Sequence, residues 1–176
     1  MDRIDENGFR ANVGIILMDA ANQVLIAGRR GKNGWQFPQG GVKNRESAEQ
    51  AMYRELHEEV GLSRDDVEVS GVTRGWIRYT LPKKYLRKSE PKCIGQKQRW
   101  FLLTLRVDPG KLCFDASPQP EFDRCRWVDY WTPVEEVIYF KRKVYIQALS
   151  ELARIAFEGS AVPPKPQSWP KSWLKS

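Results

Sequence analysis

The 176-residue chain reads as an α/β protein whose mixed sheet lies between helices. Three observations predict this. Strand-patterned segments stand before and after an acidic helix, a second amphipathic helix follows the last strand, and the length suits one good core rather than two. We expect one domain over residues 8–158 and a basic, disordered tail over 159–176.

Residues 9–19 (FRANVGIILMD) are rich in β-branched and aliphatic side chains, and residues 19–22 supply turn formers before a second strand at 23–29, so a hairpin is expected. Pro38 interrupts the following WQFPQGG stretch, where the glycines permit close backbone approach to a ligand. A helix starts after Ser47, whose capping partner is Gln50, and stops at Gly61. Residues 66–79 read as one or two strands, and 81–93 as a basic, proline-bounded surface loop. Residues 96–107 form the best later strand, its 101–105 centre buried, and 125–130 a further one. Thr132, Pro133 and Glu135 combine cap, first-turn proline and capping-box acid, so a short helix begins there. A longer helix over 142–158 puts Val144, Ala148, Leu149, Leu152, Ile155 and Ala156 on one stripe. The tail holds four prolines and three lysines with few groups to bury, although Trp169 and Trp173 are candidates to contact a partner.

Within the helix at 48–60, Glu55, Glu58 and Glu59 share an arc of about 100°, beside an apolar face of Met52, Tyr53, Leu56 and Val60. Carboxylates three and four residues apart repel, and two of these sit at the negative end of the helix dipole. A hard divalent cation such as Mg²⁺ or Mn²⁺ removes that penalty and bridges to phosphate, whereas three acids alone also describe an ordinary solvated face.

The wider spacing decides between them. Gly40, five residues, Glu46, seven residues, Arg54-Glu55-Leu56, one residue, Glu58-Glu59, one residue and Gly61-Leu62 fill every required position of the Nudix box. The stretch therefore resembles the Nudix hydrolases. The resemblance implies an α/β/α sandwich over about residues 8–158 and hydrolysis of a diphosphate bond in a nucleotide-like substrate. It implies Glu55, Glu58 and Glu59 as ligands to two or more Mg²⁺ or Mn²⁺ ions, aided by a Gly40 or Gly41 carbonyl, and Glu46 paired with Arg54 to brace the loop.

Charge points to a polyanionic substrate. The net charge is +7, yet residues 46–68 carry eight acids against Arg54 and Arg64, while residues 74–99 carry nine bases against Glu90. Local carboxylates hold cations and surrounding bases attract phosphate. The absence of a long apolar run argues against membrane residence, and the acidic opening MDRIDEN has the wrong sign for a signal peptide, so we expect a cytoplasmic protein. Three unpaired-looking cysteines fit a reducing compartment, and His57, the single histidine, falls off the acid arc and reads as surface.

Beyond the box, GFRANVGI, WQFPQGG, CIGQKQRWFLL, PEFD and YFKRKVY are similar to segments of the bacterial RNA pyrophosphohydrolases, which trim RNA 5′-triphosphates to monophosphates and license decay. They are similar too to the asymmetrical diadenosine tetraphosphate hydrolases, so a dinucleoside polyphosphate is the alternative substrate, and a catalytically silent RNA-binding module is a third reading. The resemblance implies a loop glutamate, Glu121 of PEFD, as base or extra metal ligand. Tyr79 and Phe140 are candidates to stack nucleobases, and Arg10, Arg29, Arg30 and Lys141 to bind phosphates.

Overall fold

The computed structural model describes residues 2–88 and 90–175. Its strands are β1 (Phe9–Met18), β2 (Val24–Arg29), β3 (Trp35–Gln36), β4 (Gln39–Gly41), β5 (Val67–Val72), β6 (Ile77–Thr80), β7 (Gly95–Leu105) and β8 (Phe122–Val128). The helices are α1 (Ala48–Val60), α2 (Thr132–Glu136) and α3 (Arg142–Ala156). All eight strands join one sheet, in which the path β3-β2-β1-β7-β5 is extended by β4 on β1, β6 on β7 and β8 on β2. The sheet is mixed, as expected. β1 and β7 run parallel from Phe9↔Gly95 to Met18↔Thr104, and the other pairings are antiparallel.

Because side chains alternate across a strand, β1 feeds two cores. Ala11, Val13, Ile15 and Leu17 face α1, where Met52, Leu56 and Val60 are fully buried with Phe101 and Leu103. Ile16 and Met18 face the opposite layer, where Trp100, Leu102 and Phe37 meet Tyr145, Leu149 and Leu152 of α3. Two apolar layers, one on each face, make the sandwich.

The β1–β2 hairpin turns through Asp19, whose carboxylate accepts from the backbone N–H groups of Ala21 and Gln23 at 2.9 Å each. Pro38 breaks the next segment into β3 and β4. The expected 66–79 region is two strands, and the 125–130 strand begins earlier, at Phe122.

Two expectations need correction. Thr132 and Glu135 form no capping box, because α2 begins after Trp131 with no side-chain cap, and Glu135 instead accepts from the Trp169 indole N–H at 2.7 Å. The tail read as disordered lies packed over α2 and the start of α3. Trp169 is 6% exposed, the Trp131 indole N–H donates to the Pro163 carbonyl at 2.7 Å, and Trp173 packs on Trp169. Low hydrophobic content concealed this, since the packing runs through Trp169 and Trp173 of the tail against Trp131.

Candidate active site

The site grows from α1 and the glycine loop in front of it. Ser47 Oγ accepts from the Gln50 N–H at 3.1 Å and the Gln50 side chain accepts from the Ser47 N–H at 2.9 Å, which fixes where the helix starts. Gly61 closes it in the left-handed region, at φ 73°. With both ends set, the arc of Glu55, Glu58 and Glu59 turns to the β4 loop.

Arg54 is the hub of the loop. Its Nε and Nη2 donate to the two oxygens of Glu46 at 2.7 and 2.9 Å, and Nη2 also donates to the Gly41 carbonyl at 2.7 Å. Nη1 donates to Glu55 at 2.6 Å and to Glu58 at 3.4 Å. The paired guanidinium holds Glu46 below its ordinary carboxylate value, opposed by partial burial. A β-carbon on Gly40 would lie 1.9 Å from the Glu55 carboxyl carbon, so only glycine lets this backbone touch that carboxylate.

Glu59 is the most confined acid, 5% exposed, with Oε2 accepting from the Gln39 N–H at 2.9 Å and Oε1 buried without a partner. Burial pushes its carboxyl well above the usual range, reinforced by the nearby charges of Glu121 and Glu55. Burial raises Glu55 too, against the pull of Arg54. Glu58 is the open member, its side chain 42% exposed. Among the described residues, no three of these acids converge on one point. The donor set nonetheless fits a hard cation: three carboxylates sharing the single Arg54 guanidinium, which does not reach the buried Glu59, one orphaned oxygen, and a glycine backbone against Glu55.

Lys141 stands on the far side. Burial and the nearby Arg29 lower its ammonium to about 8, while Glu121 and Glu59 pull the other way. Arg29 also lines a cleft of about 530 Å³, together with Arg10, Tyr85, Arg87 and Gln96. Arg10 Nε and Gln96 Oε1 are buried there without partners. Phe140 is half-buried, 5.1 Å from Tyr85.

Of the residues singled out from the sequence, Arg10 and Arg29 line the cleft, Lys141 lies between Arg29 and the acids Glu59 and Glu121, and Phe140 packs beside Tyr85. Two others do not join them. Tyr79 is 8% exposed and belongs to the core between β7 and α3, and it is not a stacking surface. Alternation on β6 decides this, because Arg78 and Thr80 take the solvent side. The Arg30 side chain pairs with Asp115 at 3.4 Å outside the cleft, although its N–H donates to the Glu121 carbonyl at 2.8 Å and so ties down that loop. Tyr85 and Gln96 were given no individual role by the sequence, and Arg87 only as one of the nine bases of 74–99. The signal was an aromatic inside LPKKYLRKSEPKC, a segment read as a basic surface loop.

A two-layered mixed sheet carrying a capped acid helix behind a glycine loop defines a Nudix-type domain. The family profile described as NUDIX domain matches residues 8–149, and the chain belongs to the Nudix family. Within it the chain is 57% identical over 155 residues to the RNA pyrophosphohydrolase of Alkalilimnicola ehrlichii, covering 88% of this chain and 86% of that protein. It is 52% identical over 168 residues to the RNA pyrophosphohydrolase of Klebsiella pneumoniae, covering 95% and 96%. The fold matches the E. coli dihydroneopterin triphosphate pyrophosphohydrolase with a TM-score of 0.63 at 20% identity, covering 78% of this chain and 92% of the other. It also matches a C. elegans Ap4A hydrolase with a TM-score of 0.55 at 16% identity, covering 80% and 94%.

Proposed function

We propose that the protein is a divalent-metal-dependent RNA pyrophosphohydrolase that converts a 5′-triphosphate end to a 5′-monophosphate and thereby opens the transcript to decay. The observation that carries this reading is the juxtaposition of an acid cluster short of positive charge with a basic, aromatic-edged cleft, joined through Arg29 and Lys141. RNA pyrophosphohydrolase relatives identical over half their residues support the same substrate.

In this mechanism Glu55, Glu58, Glu59 and the Gly40 carbonyl would hold Mg²⁺ or Mn²⁺, two or more ions in all. Bound divalent ions neutralise phosphate oxygens and acidify water. Arg10, Arg29 and Lys141 bind and orient the phosphate chain, and their charges oppose its repulsion from the glutamates. Glu121, exposed beside Glu59, accepts the proton of the attacking water. Phe140 and Tyr85 offer ring surface to the unpaired 5′ nucleotides, and the bases of the 81–93 loop lie along the following backbone. The chain works in the cytoplasm, in keeping with three free thiols and with no helix among the described residues long and apolar enough to cross a membrane.

The test is release of phosphate or pyrophosphate from 5′-triphosphorylated RNA with Mg²⁺, comparing wild type with Glu58→Gln and running diadenosine tetraphosphate in parallel. We expect RNA to have the higher kcat/KM and Glu58→Gln to be nearly inert. A clear preference for the dinucleotide would refute the substrate. Equal inertness of both proteins with RNA retained would make the fold a binding module.

A further inference from the structure

The helix that carries the basic rim of the site begins badly. Lys141, Arg142 and Lys143 place three cations at the positive end of the α3 dipole, and with no side-chain cap at Lys141 the first N–H groups rely on the preceding turn, Lys141 donating to the Ile138 carbonyl at 3.0 Å and Arg142 to the Tyr139 carbonyl. The preceding turn, Tyr139–Lys141, has no side-chain cap either, and it carries Phe140, 5.1 Å from Tyr85 of the cleft, and Lys141, which feels the charges of Arg29, Glu121 and Glu59. Contacts from outside the segment hold it as well.

The holder is the segment after α3. Arg142 Nε donates to the Val134 carbonyl at 3.2 Å, and its guanidinium lies 4.4 Å over the Trp173 ring. Trp173 packs at 5.9 Å on Trp169, which stands edge-on to Trp131 at 6.0 Å and donates to Glu135. Arg142 is therefore clamped between α2 and the tail, one residue from Lys141. A stacked guanidinium is a good clamp because it keeps its charge while the ring orders its plane.

We propose that residues 160–175 form a strap whose positioning residue, Trp173, acts through Arg142 to fix Phe140 and Lys141 at the substrate cleft. The consequence for turnover rests on the RNA reading above, whereas the consequence for the backbone does not. The test compares full-length wild type, Trp173→Ala and Trp173→Phe in two measurements. One is amide hydrogen exchange, read at residues 139–143 against 48–60. The other is steady-state kinetics on a 5′-triphosphorylated oligonucleotide with Mg²⁺, alongside thermal melts.

Trp173→Ala should speed exchange at 139–143 only and raise KM roughly fivefold with kcat within about twofold, the size expected for losing one cation–π contact. Trp173→Phe should restore both. Unchanged exchange with unchanged KM overturns the strap. So does a fall in kcat and melting temperature that phenylalanine fails to rescue, which would mark Trp173 as packing alone. Were wild type inert on the oligonucleotide, the substrate reading would fall, and exchange would still decide the strap: faster at 139–143 in Trp173→Ala upholds it, unchanged rejects it.

Discussion

Glu59 holds one carboxylate oxygen in a buried place with no donor and faces a second acid, Glu121, so the folded state bears a strain that a neutral isostere removes. Glu59→Gln should therefore melt higher than wild type in the absence of divalent cation, by about 2–4 °C for each kcal/mol of repulsion relieved. Its turnover should drop by roughly 10²-fold or more, since the lost charge is one the cation needs. Melts in chelator beside kcat in Mg²⁺ check both signs, and a variant that melts lower would show that the carboxylate is not strained. Gly40→Ala should do the reverse of a stability mutation. The added methyl occupies the place of the Glu55 carboxyl, displacing that acid while the two cores stay intact, so kcat/KM should collapse with little change in melting temperature. Such residues were legible in the sequence because chemistry dictated their spacing. Glu121 came from a resemblance rather than from spacing, since a loop acid carries no periodicity, and Tyr79 was misread because an aromatic beside bases looks the same whether it faces solvent or core.

At the level of elements, α1 was readable to the residue, as Ser47, Gln50 and Gly61 are local signals with local causes. The cap of α2 was misread for the opposite reason: Glu135 had a partner 34 residues away that no local pattern announces. Arg54 ties α1 to the β4 loop through four partners, and a lysine cannot reach them as a planar fork. Arg54→Lys should cost about 1–3 kcal/mol of unfolding free energy, measured by urea titration, and should lower activity further than that through Glu55. Asp66 anchors the turn after α1, accepting from the Ser63 N–H and hydroxyl and from Lys111. Those partners hold its carboxyl below the ordinary 3.8, the Lys111 hydrogen bond contributing most. The stabilisation is therefore complete above that pH and fades as acid protonates the folded group. The gap in melting temperature between wild type and Asp66→Asn should be widest near neutrality and close below the ordinary carboxylate pKa.

For the molecule as a whole, layer order was legible because strand alternation and helix stripes report which faces are apolar, whereas the parallel partner of β1 was not, since nothing in residues 9–18 points to 95–104. Trp100 locks the two strands from the α3 side, its ring set against Gly14, where a β-carbon would come within 2.3 Å. Trp100→Ala should cost about 3–5 kcal/mol in urea titration, the range for emptying a filled aromatic site. That same parallel seam governs how the protein comes into being. Residue 9 must wait for residue 95, so a nascent chain leaving the ribosome carries the acid helix with β1, β2 and β4 well before β7 can complete the sheet, and refolding belongs to the millisecond-to-second regime of distant pairings. The sheet that carries the hydrolytic groove is thus completed late, once most of the chain has emerged.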